Sequence, residues 1–231
     1  MDLIAATGGW LADPAHWQGP NGIPFRLFEH VGLSGVSLLL AAVVALPLGL
    51  WIGHSGRFSW WIVGSANAWR ALPSFAVIGL LVPFTTVIDA NLGFTVYPTL
   101  IAMVVLAGPP ILVNAYQGVA DVDRDLVEAA RAMGMKERQI LTGVEIPIAL
   151  PVIATGIRSA AVQVIATATL GATFGFGGLG RLIVLGDANQ DNGELFAGVV
   201  LVAVLALSTL GLFVLLERRL ASPGLSSRIA G

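Results

Sequence analysis

Few residues in this chain have the type and spacing to do chemistry, and most fail a first test. Gly32-Leu33-Ser34-Gly35 has the Gly-x-Ser-Gly form that frames a nucleophilic serine. Such a serine needs a histidine base within hydrogen-bond reach. The histidines are His16, His30 and His54. His54, the one that follows Ser34, lies in the same apolar stretch, roughly 30 Å further along a helix. Gly175-Phe176-Gly177-Gly178-Leu179-Gly180 matches Gly-x-Gly-x-x-Gly. A dinucleotide site would need a strand before it and a βαβ unit around it, and the flanks here are apolar helix and loop. The better reading is a flexible outward loop, with Gly177, Gly178 and Gly180 as an external gate or a partner contact. Lys136 is the one lysine, so no Gly-Lys-Ser/Thr phosphate loop is present. With no cysteine there is neither a disulfide nor a thiolate metal site, and no metal site is expected. A net charge of −2 argues against a nucleic-acid partner.

Ten of the charged residues crowd into Asp121–Glu145. Apolar residues recur there at Val122, Leu126, Ala129/Ala130 and Met133, which is helix spacing. Asp121, Asp123 and Asp125 lie at its start, where the helix dipole favours negative charge. Asp125 and Glu128 have the spacing of a capping box. Gly134 is placed to end the helix in a left-handed turn. Met135–Glu145 reads as a second short helix, and Pro147 begins the next apolar stretch where proline is tolerated. The segment is therefore a helix–turn–helix outside the apolar stretches, and the plain alternative is a solvated loop.

The elements that must position it are apolar throughout. Hydrophobic residues make up 56% of the chain and charged residues 11%, against about 25% charge in a soluble domain. A membrane helix needs roughly 20 mostly apolar residues. Five stretches qualify: Val31–Gly53, Ala71–Ile88 (with a start as early as Phe58 that would include Arg70), Gly93–Ala120, Ile146–Leu170 and Leu195–Leu216. The expected fold is an all-α membrane protein of about five transmembrane helices. Pro47, Pro73, Pro83, Pro109 and Pro110 are compatible with it, because neighbouring helices satisfy the backbone groups that proline frees. Residues 1–27 form an external, interfacial segment with Trp10 and Trp17 and no signal-peptide pattern. Residues 28–220 form the transmembrane domain and 221–231 a tail. Arg57, then Arg124, Arg131, Lys136 and Arg138, then Arg218, Arg219 and Arg228, all fall on one side. The positive-inside bias makes that side cytoplasmic, with the N-terminus outside.

Glu128-Ala129-Ala130, Gly134 and Val144-Glu145-Ile146-Pro147 together resemble the EAA signature of permeases in ATP-binding-cassette importers. The family pattern ends Ile-x-Leu-Pro; here apolar swaps give Val-x-Ile-Pro, and Ile148-Ala149-Leu150-Pro151 is a closer copy. The resemblance implies that 121–147 is a cytoplasmic coupling loop, with Glu128, Ala129, Ala130, Arg131, Gly134 and Pro147 docking an ATPase subunit. Small Ala129 and Ala130 would let the helix sink into a groove. ATP and Mg would be bound by that subunit and not by this chain. A second permease chain, identical or a sister, and an extracytoplasmic solute-binding protein complete the expected assembly in a prokaryotic cell membrane. Asn67-Ala68-Trp69-Arg70-Ala71-Leu72-Pro73-Ser74-Phe75, with Gln163–Leu170 and Gly177–Gly180, is similar to the permeases for quaternary-amine solutes. This implies uptake of glycine betaine, choline, carnitine or proline-like solutes. The nearest alternative is another small polar solute. Remoter ones are a secondary transporter, which would favour acidic residues inside the spans, and a rhomboid-like intramembrane protease.

Arg70 and Arg158 fall at membrane depth, where a charge marks a pathway or a paired site, unless each snorkels to the boundary. Asn67, Asn114 and Gln163 are neutral candidates for lining a path beside Pro73, and the alternative for each is a bond between helices.

Overall fold

The computed structural model describes residues 3–57, 60, 64, 68 and 72–220, the side chains of 218 and 220 excepted. Among the described residues every element is helical. Helix α1 is Leu3–Ala12 and is followed by a 3-10 turn, Pro14–Trp17. Helix α2 is Ile23–Ser55, α3 is Ser74–Thr85, α4 is Leu92–Thr95 and α5 is Tyr97–Ala120. Helices α6, Arg124–Ala132, and α7, Glu137–Ile140, precede a π-turn at Leu141–Glu145. Helix α8 is Ile146–Gly171, α9 is Gly180–Ala188 and α10 is Asn192–Leu220.

Four segments are long and apolar enough to cross a membrane: Ile23–Ser55, Leu92–Ala120, Glu137–Phe174 and Asn192–Glu217. They match four of the five expected spans. At the place of the other stands α3, whose 12 residues reach about 18 Å at the helical rise. The stretch from Phe58 to Ala71 lies largely outside the described residues. Helix α2 starts eight residues before Val31 and takes in Arg26 and Glu29. Arg26 pairs with Glu29 at 2.9 Å, one turn on. Helix α9 was not expected at all. It is short, and the glycines before it read as loop.

The chain divides into two compact units. The first takes Met1–Leu39, Leu72–Ala107 and Ala161–Thr209. Its core is Ile23, Leu179 and Leu182, with Trp10, Leu11, Leu201, Val202 and Leu205 packed around them. The N-terminal segment meets this core through Trp10 and Leu11 and is itself folded: Trp10 and His16 stack at 3.9 Å, and the Trp17 indole donates to the Leu11 carbonyl.

The second unit takes the described residues of Leu40–Ala71, Gly108–Ala160 and Leu210–Gly231. Its core is Ala115, Val119, Ala149 and Ile153, flanked by Leu46, Leu50, Leu141 and Ile157. Small residues bring its helices together, as expected where lipid leaves no hydrophobic drive between helices. A Cβ on Gly49 would fall 2.6 Å from the Leu112 carbonyl oxygen and 2.8 Å from the Ala115 Cβ. One on Gly156 would meet the Asn114 Cβ at 2.6 Å. Gly49→Leu should therefore push α2 off α5. Overpacking of this kind costs about 1–3 kcal/mol or more. We expect the solubilised variant to give less monodisperse protein by size exclusion, whereas Leu at the uncrowded Gly35 should behave as wild type.

Candidate functional site

The charged segment folds as two short helices and a turn. Asp123 caps α6, its carboxylate accepting the Asp125 N–H at 2.9 Å. The cap is thus Asp123 and not the Asp125–Glu128 box that spacing suggested. Helix α6 then ends at Gly134, whose φ of 86° is the left-handed turn expected there. Gln139 accepts the Lys136 N–H and starts α7. The second helix does not stop before the next span. A π-turn at Leu141–Glu145 carries it directly into α8, so Pro147 lies one residue inside α8 and does not begin it. This gives one continuous rod from the turn into the membrane.

The apolar stripe read along α6 divides into two faces. Val122 and Ala130 pack against their own unit, Ala130 at 2% exposure. Leu126 and Met133 stay exposed at 51% and 77%, and Glu128 and Ala129 are also exposed. Helix spacing alone could not separate these faces, because both are apolar. Ala130 is therefore small so that α6 can lie close to its own chain. Ala129 remains free for an outside groove.

Arg131 makes a two-point bond to Glu137, at 2.8 and 3.0 Å, which ties α6 to α7 across the Gly134 turn. That hydrogen bond raises the Arg131 pKa further, so the guanidinium stays charged. Glu137 also faces His54 of α2, 3.2 Å from its Nε2. On its other side His54 Nδ1 lies 2.6 Å from Glu145, a buried carboxylate. A cavity of about 430 Å³ opens beside this group, lined by His54, Tyr116, Arg124, Glu128, Arg131 and Glu145 among others. Sequence reading missed His54 and Glu145 as a pair, since nothing local signals a contact 91 residues apart.

The other expected site residues fall as follows. Arg158 on α8 pairs with Glu217 on α10 at 2.5 Å, within the second unit. The structure thus supplies the inter-helix partner that the sequence could not name. The Asn114 amide donates to the Pro110 carbonyl at 2.8 Å, a bond inside α5 and not between helices. Gln163 is half-buried in the first unit, and Pro73 caps α3 there. Asn67 and Arg70 lie outside the described residues.

The glycine loop before α9 is held closely to α2, within the first unit. The Gly178 N–H donates to Glu29 at 3.0 Å, and the Leu179 N–H donates to His30 Nδ1 at 3.3 Å. His30 is buried, and its Nε2–H faces the Ile165 carbonyl at 3.1 Å, which settles the tautomer. A Cβ on Gly178 would lie 3.0 Å from the His30 ring, and its φ of 71° suits glycine. These glycines allow close approach. Freedom of movement is not needed to explain them.

Comparison with known proteins adds a family and a fold. The family model described as "Binding-protein-dependent transport system inner membrane component" matches residues 45–223. The carnitine transport permease protein OpuCB of Listeria monocytogenes is 35% identical over 190 residues, covering 82% of this chain and 84% of the relative. The choline transport system permease protein OpuBB of Bacillus subtilis (strain 168) is 31% identical over 201 residues, covering 87% and 89%. The osmoprotectant import permease protein OsmW of Salmonella typhimurium is 34% identical over 197 residues, covering 84% and 91%. Among solved structures, a chain of the MetNI methionine ABC transporter in inward facing conformations superposes with a TM-score of 0.76 at 22% identity. That superposition covers 91% of this chain and all of the other, and it shows the shared fold.

Proposed function

We propose that this chain, which belongs to the family of inner-membrane components of binding-protein-dependent transport systems, is the permease of an ATP-driven importer for quaternary-amine compatible solutes. It is a transport subunit, as its relatives are, and ATP hydrolysis belongs to a separate subunit. The observation that carries the substrate reading is likeness over more than four-fifths of both chains to permeases named for carnitine, choline and osmoprotectants. Glycine betaine, choline and carnitine are the solutes to expect.

The coupling reading rests on the exposed face of α6. Leu126, Ala129 and Met133 present small and apolar groups at helical spacing, with Glu128 and Arg131 beside them. That is the pattern of a helix that lies in a partner's groove. The rod from α7 into α8 would carry the partner's movement into the membrane as a rigid body. The partner is an ATPase that binds ATP and Mg, and its face of the membrane is the cytoplasm. The positive-inside bias of the sequence would put Arg57 and the Arg124–Arg138 segment there, with the N-terminus outside. A second permease chain and an extracytoplasmic binding protein would complete the importer.

Uptake of radiolabelled choline, carnitine and glycine betaine by cells with and without this chain tests the proposal. At least one of the three should accumulate only when the chain and its ATPase are both present. Accumulation of none of them, with another small polar solute carried instead, would overturn the substrate assignment.

A further inference from the structure

We infer that His54 is a positioning residue that fastens the coupling segment to α2, so that movement of α6 and α7 reaches a second span besides α8. This rests on the importer reading above. His54 lies in the last turn of α2. Both of its ring nitrogens face carboxylates, Nδ1 to Glu145 at 2.6 Å and Nε2 to Glu137 at 3.2 Å. With both carboxylates ionised, both contacts are hydrogen bonds at once when both nitrogens carry protons.

The two carboxylates belong to different parts of the coupling segment. Glu137 opens α7 and is held by Arg131 of α6. Glu145 closes the π-turn that leads into α8 and is 4% exposed. Arg131, Glu137, His54 and Glu145 thus form one chain of contacts running from α6 through α7 to α2 and the foot of α8. The coupling segment is continuous with α5 and α8 and packs on them through Leu141, which lies against Ala115, Val119, Ala149 and Ile153. His54 adds the lateral fastening to α2, whose Gly49 and Gly53 pack directly on α5. A π-turn at this point is the kind of local irregularity that recurs at functional sites. Glu145 is the variable position of Val-x-Ile-Pro, yet here it is buried and bonded.

The test compares solute moved per ATP hydrolysed, in the complete complex with its ATPase and binding protein in proteoliposomes, using the radiolabelled solute that the wild type carries. A role in folding alone would lower the amount of complex and leave this ratio unchanged. His54→Gln keeps a similar length but has one donor nitrogen and one acceptor oxygen, so it cannot set a donor nitrogen against each carboxylate. It should assemble, hydrolyse ATP and lose about tenfold in solute per ATP. His54→Arg, which offers N–H donors to both carboxylates, should recover most of the ratio. A wild-type ratio in His54→Gln would overturn the inference while leaving the importer reading intact. Absence of ATP-dependent uptake in the wild type itself would count against both. If His54→Gln does not assemble, Glu137→Gln at the exposed end of the chain decides: a lowered ratio supports the fastening, and a wild-type ratio overturns it.

Discussion

Replacing both Leu126 and Met133 by aspartate should abolish ATP-driven uptake while the chain remains in the membrane at normal amounts. Both side chains are exposed, Leu126 on α6 and Met133 at its C-terminal cap, so their own unit loses little. In a partner's groove each would be a desolvated anchor, and truncating such an anchor costs about 2 kcal/mol or more. Two anchors weaken docking by roughly three orders of magnitude, at about tenfold per 1.4 kcal/mol. Glu128→Arg on the same face should act in the same direction by reversing a charge. Ala130→Leu supplies the contrast. Ala130 packs against its own chain, so the enlarged side chain should lower the amount of folded protein, with uptake falling only in proportion. Uptake divided by membrane content separates the two outcomes. Normal uptake from Leu126→Asp/Met133→Asp would remove α6 as the docking element.

The second large effect concerns Arg158. Arg158→Met leaves Glu217 in the second unit without its partner. The Glu217 carboxylate already has one oxygen, Oε1, buried with no hydrogen bond among the described residues. Breaking a buried ion pair from one side costs about 3–5 kcal/mol. The side chains here are 25% and 17% exposed, so the lower end applies, or a melting point lower by roughly 10 °C. Arg158→Met/Glu217→Met should recover most of that loss, since two apolar groups replace two charges together. Thermal melts of solubilised protein read this directly. If Arg158 were instead a pathway residue, the double variant would melt as the wild type does and yet carry no solute.

Much of this was legible in the sequence, for physical reasons that can be named. The four long spans are legible because a run of some 20 mostly apolar residues has few other fates. The Gly134 turn was read because a glycine after an amphipathic run has a specific backbone use. The errors share one cause: local pattern does not say what a residue meets. The expected first span stops short of Arg26 and Glu29, and the structure has both inside α2, paired with each other. Ala129 and Ala130 looked equivalent, and packing turns one inward and one outward. Gly177 and Gly178 suggested flexibility, whereas Glu29 and His30 press against them. His54 was weighed only as a base for Ser34, and its carboxylate partners lie far off in sequence. For Arg158 the sequence leaves a pathway, a paired site and snorkelling open, and it does not name the partner, since Glu217 sits in another span.

The central claim is that this chain moves solute only when a separate ATPase drives it through α6. Proteoliposomes containing the chain with its ATPase, and matched ones containing the chain alone, test it most directly. With binding protein and radiolabelled choline, carnitine or glycine betaine on one face and ATP on the other, the first should accumulate solute and the second none. Equal accumulation without the ATPase would contradict the account.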